Sequence, residues 1–383
     1  MKNHLFARMT WIIVVVCYIT YGFQYSKKNS GRLNGGAHLD APNHLDQGSS
    51  ETLDPSFDQY FLDHPNFSGN VLVALKGEPI FQKSYGYANI ELQVKNSLAT
   101  KFRIGSITKQ FTAMAIMILE EQGKLSTTDK ISDHLLSLLP HWQNLTIHHL
   151  LTHTSGLPHT WTTEGFTETM MLPNSMEETI DRFKNQPLLA SPGEEFHYSG
   201  VGYFLLAAII QEISGKSYEA FLNEQIFSKI GMQDTGADGP QKIIQNRAAG
   251  YETDTSGIRN APYIYMPILT GGGNLYSTLG DLLKWDRALH ENTLITKETK
   301  EKMFTANLNN YGYGWFVRKT DSSFRVDHTG GVAGFNAFIG RYPNEELLIV
   351  ILSNHQLHSI REILMNFSGV VIEELEKTGY NKK

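Results

Sequence analysis

Cysteine is almost absent from this sequence. The 383-residue chain carries a single thiol, Cys17, in its first segment. One cysteine cannot form an intramolecular disulfide or a cysteine-based zinc cluster, and a thiol nucleophile at this position is not expected. An exported chain without later thiols is consistent with a bacterial envelope protein.

An excess of positive charge is also lacking. Lys and Arg number 33 against 39 Asp and Glu, and charged residues make up 19% of the chain. Without a basic field, nucleic acid is not expected as a partner. Hydrophobic residues at 41% and 33 glycines still describe a globular, turn-rich protein that can bury a large core.

Long apolar runs are few, and the one at the start indicates export. Lys2 and Arg8 precede an uncharged run over residues 9–23, which matches the apolar region of a signal peptide. The run is short for a membrane span of roughly 20 residues, yet no good cleavage site follows it. We predict a signal peptide or an N-terminal membrane anchor over residues 1–25. The protein would then be periplasmic or at the cell surface.

The remaining chain divides by its apolar patterning. Residues 26–53 lack periodicity and read as a flexible linker, followed by a folded domain over 54–378 and a tail over 379–383. Two β-rich runs at 70–75 and 79–87 predict a hairpin. Near the other end, further strands are predicted at 314–319, 324–328, 334–341 and 347–353, and a helix at 360–375.

The middle of the chain is mainly helical in its patterning. The first strong helix follows Ser106, with Phe111, Ala115 and Ile118 at helical spacing and Gly123 as a stop signal. A mainly helical region is predicted over about 125–309. We therefore predict an α/β (α+β) fold, in which helices flank an antiparallel sheet made from both chain ends and the helical region is inserted between them.

Ser106 and Lys109 could perform nucleophilic chemistry. At a spacing of three residues on a helix, their side chains share one face. A serine hydroxyl needs a base, and a lysine can act as one only if burial or nearby charge lowers its pKa from about 10.4. Because a chain of this length contains on the order of one Ser-x-x-Lys by chance, the pattern needs support from its context.

That context is a set of sequence motifs in a characteristic order. Downstream of Ser106 stand Tyr198-Ser199-Gly200 and His328-Thr329-Gly330-Gly331. With them, residues 55–375 resemble the serine β-lactamase and penicillin-binding-protein-like superfamily, specifically its class C branch, which includes D-alanyl-D-alanine carboxypeptidases and esterases. The resemblance also rests on Leu150-Leu151-Thr152-His153-Thr154-Ser155-Gly156-Leu157-Pro158, on Gly271-Gly272-Gly273 with Ser277, Asp281 and Trp285, and on Tyr313-Gly314-Trp315.

The resemblance assigns roles to individual positions. It implies that Ser106 is the acylated nucleophile, Lys109 its proton acceptor and Tyr198 a proton shuttle. It also implies an oxyanion hole from the backbone N–H groups of Ser106 and Gly331. Neither a cofactor nor a metal is implied.

Two positions depart from the family pattern. Gly200 replaces an asparagine whose amide would bind a substrate's acylamino group, and His328 replaces a lysine. An imidazole with a pKa near 6.5 loses its charge around pH 6 to 7, so it would hold a substrate carboxylate less firmly and in a pH-dependent way. Thr329 could still offer its hydroxyl to a carboxylate.

These observations predict a serine hydrolase that forms an acyl-enzyme at Ser106. Its substrates would be small molecules or peptides with an ester or amide bond, such as D-Ala peptides or β-lactams, in the bacterial cell envelope. The departures favour less anionic substrates and an esterase or peptidase activity.

Two alternatives stay open. The first is a catalytically weak, penicillin-binding-like protein that binds peptidoglycan or another partner. The second is a zinc site, because His149 and His153 form an i, i+4 pair near His148 and His159. The glutamate of a His-Glu-x-x-His motif is missing, which argues against zinc.

Overall fold

The computed structural model describes residues 54–135, 142–163, 165–320, 323–356 and 360–377. The predicted N-terminal segment, the linker and the tail over 379–383 lie outside these residues. The strands are β1 (Gly69–Leu75), β2 (Glu78–Tyr85), β3 (Tyr87–Asn89), β4 (Val94–Lys95), β5 (Phe102–Arg103), β6 (Gly236–Ala237), β7 (Tyr251–Asp254), β8 (Gly257–Asn260), β9 (Leu275–Ser277), β10 (Phe316–Lys319), β11 (Phe324–Val332), β12 (Phe335–Tyr342), β13 (Leu347–Ser353) and β14 (His355–Gln356).

The α-helices are interspersed with the strands, and most of them lie between β5 and β10. They are α1 (Asp54–Leu62), α2 (Thr108–Glu121), α3 (Ile147–Leu151), α4 (Phe166–Thr169), α5 (Met176–Phe183), α6 (Gly200–Ser214), α7 (Tyr218–Leu222), α8 (Leu279–Glu291), α9 (Lys297–Met303) and α10 (Ile360–Lys377). Within the described ranges, no helix is both long and apolar enough to cross a membrane.

The main sheet confirms the predicted fold class. Its order is β10-β11-β12-β13-β1-β2, and each neighbouring pair is antiparallel. The first two strands thus pair with strands from the far end of the chain. At the β1–β2 hairpin, Lys76 and Gly77 both have positive φ, as a two-residue turn of type I′ requires.

Both faces of this sheet are covered, which explains its continuous apolar strands. Alternate residues of β1 enter different cores: Val71 and Val73 pack with α1 and α10, whereas Leu72 and Ala74 join the core formed with the other helices. All residues of β13 are buried for the same reason.

The sequence prediction needs two corrections. β11 continues through His328-Thr329-Gly330-Gly331 to Val332, whereas the sequence predicted a strand only to residue 328. Pairing with β12 imposes the extended conformation on this glycine-containing stretch. In addition, the region predicted as mainly helical contains the short strands β6 to β9, which are too short to display an alternating pattern.

Candidate active site

Ser106 lies in a short 3₁₀ turn, Gly105–Ile107, which leads directly into α2. The preceding strand β5 pairs with β9, and this fixes the entry to the turn. Ser106, the predicted nucleophile, therefore sits at the amino end of a buried 14-residue helix, where the helix dipole favours developing negative charge.

Close backbone contacts hold this turn against β11. Gly105 has a φ of 49°, and a Cβ added to it would lie 2.6 Å from the Gly331 nitrogen. A Cβ added to Gly330 would collide with the carbonyl oxygen of Ile104 and approach within 3.3 Å of the Ser106 nitrogen. The absence of side chains at both glycines lets the Ser106 turn and the β11 backbone meet.

Lys109 is buried directly behind Ser106. Its Nζ lies 3.2 Å from Ser106 Oγ and donates a hydrogen bond of 2.7 Å to the Gly272 carbonyl. Only 2% of the residue is exposed, and burial lowers the pKa of Lys109 to about 7. A lysine can act as a base only if its pKa is lowered, and burial lowers the pKa of Lys109.

The glycines of the other sequence motifs pack around this lysine. Gly314 has a φ of 79°, and a Cβ there would come within 2.7 Å of the Lys109 carbonyl oxygen. Trp285 donates from its indole nitrogen to Gln110 Oε1 over 3.1 Å. These contacts fix α2 from two sides and so fix the direction of the Lys109 side chain.

Tyr198 approaches Ser106 from the inserted region. The Lys109 ammonium lies 4.8 Å from the centre of the Tyr198 ring. Burial raises the pKa of the Tyr198 hydroxyl above its usual value, and a hydrogen bond with Ser106 offsets this only in part. Near neutral pH the Tyr198 hydroxyl therefore stays protonated, as the proton-shuttle role implied by the resemblance requires.

His153 holds the backbone beside this tyrosine. Its Nδ1 accepts the Ser199 N–H over 3.0 Å, and its ring packs 4.2 Å from that of Tyr198. The Ser199 side chain in turn caps α6 by accepting from the Gly202 nitrogen. Tyr198 is thus fixed by the residue that follows it.

His328 is enclosed and uncharged. It is 2% exposed, its Nδ1 donates to the Thr329 carbonyl over 2.6 Å, and its Nε2 accepts from the Tyr311 hydroxyl at 3.0 Å. Burial, together with the charge of Lys109, lowers the pKa of His328 to about 3. The expectation that His328 loses a charge between pH 6 and 7 is therefore wrong, because the imidazole is neutral throughout that range.

A cleft of about 310 Å³ brings the predicted residues together. Lys109 is the exception, since it lies behind Ser106. β10 pairs with β11 only up to Asp327. The residues of β11 that follow Asp327 are therefore not hydrogen-bonded to β10. The cleft is lined by Ser106, Tyr198, Phe316, His328, Thr329, Gly330, Gly331, Asn336 and Leu364.

Three lining residues were not singled out from the sequence. Asn336 pairs in register with Gly331, and its Nδ2 is buried without a partner among the described residues. Phe316 and Leu364 come from β10 and α10. Only the strand register could have located Asn336, since no local pattern distinguishes it.

A second depression, of about 340 Å³, lies beside the β1–β2 turn and contains none of the predicted site residues. Its arginines already have partners: Arg341 pairs with Asp286 at 2.5 Å, and Arg287 donates to the Gly77 carbonyl at 2.8 Å. The predicted site residues line the cleft at Ser106 and not this depression.

The four histidines considered for zinc do not converge. His148 contacts the Tyr313 hydroxyl, His149 accepts from the Thr146 nitrogen, and His153 and His159 each accept a backbone N–H. Across the part of the chain that the structure describes, no group of three or more His, Cys, Asp or Glu side chains could hold a metal ion.

Comparisons with known proteins identify the family. A family model described as Beta-lactamase matches residues 57–362. A penicillin-binding protein of Bacillus subtilis is 34% identical over 316 residues, which cover 76% of this chain and 68% of the relative. Such matches support a hydrolase or penicillin-binding type of function.

Solved structures extend the likeness to the fold. The octameric penicillin-binding protein homologue from Pyrococcus abyssi has a TM-score of 0.74 and 29% identity, over 83% of this chain and 77% of that one. The penicillin binding protein from Bacillus halodurans has a TM-score of 0.75 and 27% identity, over 82% and 99%. The protein described here belongs to the Beta-lactamase family, within the serine β-lactamase and penicillin-binding-protein superfamily.

Proposed function

We propose that this protein is a serine hydrolase that cleaves ester or amide bonds through an acyl-enzyme at Ser106. The observation that carries the proposal is the contact of 3.2 Å between Ser106 Oγ and the buried amine of Lys109. With a pKa near 7, lowered by burial, that amine is available as a base at neutral pH.

The proposed reaction has two halves. Lys109 accepts the proton of Ser106 while Oγ bonds to the acyl carbon, and the backbone N–H groups of Ser106 and Gly331 stabilise the oxyanion. The proton then passes to the leaving alcohol or amine, with Tyr198 as relay. In the second half, water attacks the ester of Ser106, the acid departs and the serine regains its proton.

The substrate is an uncharged acyl compound in this proposal. His328, at the position where relatives carry lysine, presents no cation because its pKa is lowered to about 3 by burial. Neutral esters and the amides or esters of D-Ala peptides, rather than D-Ala peptides with a free carboxylate or anionic β-lactams, suit such a cleft. We further propose that the enzyme acts in the cell envelope, which the basic and then apolar start of the sequence supports.

Intact-protein mass spectrometry tests the acyl-enzyme. Incubation with a fluorophosphonate should add one phosphonyl group to the wild type and none to Ser106→Ala. Ser175→Ala, which removes a serine at the amino end of another helix, serves as the matched control and should label fully. Equal labelling of Ser106→Ala and wild type would refute the proposal.

A further inference from the structure

An aromatic side chain, Phe316, stays partly exposed where the cleft meets strand β10. It is the first residue of that strand and lines the cleft, whereas the next residue, Val317, is buried in the core. Phe316 pairs in register with Asp327, the last residue of β11 that pairs with β10. The ring therefore lies at the point where the pairing ends and the cleft begins.

Neighbouring side chains fix the position of this ring. Its centroid is 4.9 Å from that of Tyr311, at an interplanar angle of 87°, and 5.4 Å from that of His328, at 41°. The guanidinium carbon of Arg318 lies 5.5 Å from the centre of the Phe316 ring. Because the ring is already held, a ligand that packs against it has little side-chain freedom to remove.

The surface around the ring is uncharged towards the cleft. Both nitrogens of His328 have hydrogen-bond partners, and burial lowers its pKa to about 3. Arg318 packs on Phe316 but does not line the cleft, and its Nε donates to Asp327 Oδ2 over 2.8 Å. This end of the cleft thus presents aromatic surface rather than a charge.

In the proposed reaction, this end of the cleft receives the leaving group. Tyr198 relays the proton to that group, and the Tyr198 ring lies 6.2 Å from the ring of His328. The acyl oxygen is held at Gly331, which is three residues further along β11, on the order of 10 Å in an extended strand. A group that departs on the Tyr198 side therefore meets His328 and Phe316.

We propose that Phe316 determines leaving-group specificity, and that the enzyme prefers substrates whose leaving group carries an uncharged aromatic ring that packs against Phe316. Aromatic pairs gain free energy beyond that of the apolar area they bury. The inference rests on the proposed function and narrows its substrates to acyl compounds with aryl or arylalkyl leaving groups.

Two thioesters with the same acyl group test the inference, namely S-(2-phenylethyl) thiobutyrate and S-ethyl thiobutyrate. Two carbons separate the phenyl ring from the sulfur, so the two thiols leave with similar intrinsic ease. The readout is the ratio of the two kcat/KM values, measured as thiol release. The wild type should prefer the phenylethyl compound about 10-fold, as expected for burial of an aromatic ring.

Substitutions at Phe316 assign this preference to the ring. Phe316→Leu keeps an apolar side chain and should lower the ratio about 3- to 10-fold, the range of one aromatic contact. Phe316→Tyr keeps the ring and should keep the ratio within about twofold of wild type. Phe316→Met should also lower the ratio, which provides an independent test if Phe316→Leu does not fold. A loss of activity that is common to both thioesters cancels in the ratio.

Phe196→Leu is the matched control. The Phe196 ring also packs against Tyr311, at 5.8 Å, but Phe196 does not line the cleft. This variant should leave the ratio unchanged. An equal fall in Phe196→Leu would overturn the inference, because it would trace the preference to the packing of Tyr311.

The remaining outcomes distinguish this inference from the proposed function. An unchanged ratio in both Phe316→Leu and Phe316→Met would overturn the inference and leave the serine hydrolase intact. The same holds for a wild type that prefers the phenylethyl thioester less than twofold, or that cleaves neither thioester but hydrolyses p-nitrophenyl butyrate. If none of these substrates acylates Ser106, the proposed function fails and the inference fails with it.

Discussion

The two sides of the catalytic cleft are constructed differently. On the nucleophile side, Ser106 and Lys109 share one helix start, and glycine contacts to β11 fix that start. The opposite wall brings Tyr198 and His159 together from distant segments by ring stacking. The Tyr198 ring lies 6.2 Å from that of His328 on β11, which accepts a hydrogen bond from Tyr311. The position of Ser106 depends on backbone contacts. Side chains of the opposite wall can therefore be substituted without displacing Ser106.

The largest effect is expected from the base on the nucleophile side. Lys109→Met should lower kcat/KM for a p-nitrophenyl ester by about 10²–10⁴, the usual contribution of a general base. Because Lys109 and Tyr198 serve one proton transfer, Lys109→Met/Tyr198→Phe should be little worse than the more damaging single variant. Lys124→Met, at an exposed position, is the control. Strictly additive losses would mean that the two groups act separately.

The pH dependence should be the next largest effect. In the proposed mechanism Lys109 acts in its neutral form, and burial lowers its pKa to about 7. Activity should therefore be lost as pH falls through 7, with kcat/KM about 25-fold lower at pH 5.5 than at pH 7.5. His328→Gln should give the same acid limb, since His328 does not titrate in this range. An acid limb near pH 10 would show that burial does not shift the lysine.

A smaller effect on stability should test how side chains fit on the opposite wall. Gly200→Ala should lower the free energy of unfolding by about 1–3 kcal/mol because of the collision with Thr160. Adding Thr160→Ala should recover most of the loss. Gly239→Ala, where an added Cβ meets nothing within 4 Å, is the control in urea denaturation. An unchanged free energy of unfolding in Gly200→Ala would mean that the Thr160 side chain can move away from the added methyl group without cost.

The smallest effect concerns charge preference. With a neutral His328, the kcat/KM ratio of p-nitrophenyl hydrogen succinate to p-nitrophenyl butyrate should stay constant within about twofold between pH 5.5 and 7.5. His328→Lys should raise the ratio by introducing a cation. A wild-type ratio that climbs as the pH falls, and a flat one in His328→Asn, would restore a titrating role for His328.

The sequence predicted the elements that have strong apolar periodicity. The β1–β2 hairpin, helix α2, strand β13 and helix α10 were all expected from local patterns, and so was the Ser106–Lys109 pair. Features that depend on contacts between distant segments were missed. The continuation of β11 through Gly331 comes from its pairing with β12, and the match of Gly200 to Thr160 comes from packing across 40 residues.

The position of β1 in the sheet has a consequence for biosynthesis. Ser353 donates its hydroxyl to the Ser68 carbonyl across a separation of 285 residues, at the seam where β13 joins β1. A ribosome therefore has to release nearly the whole chain before β1 can find its neighbour. Until then the apolar β1–β2 hairpin has an open edge and Ser106 lacks β11 beside it, so a chain that ends before β11 would lack part of the proposed site.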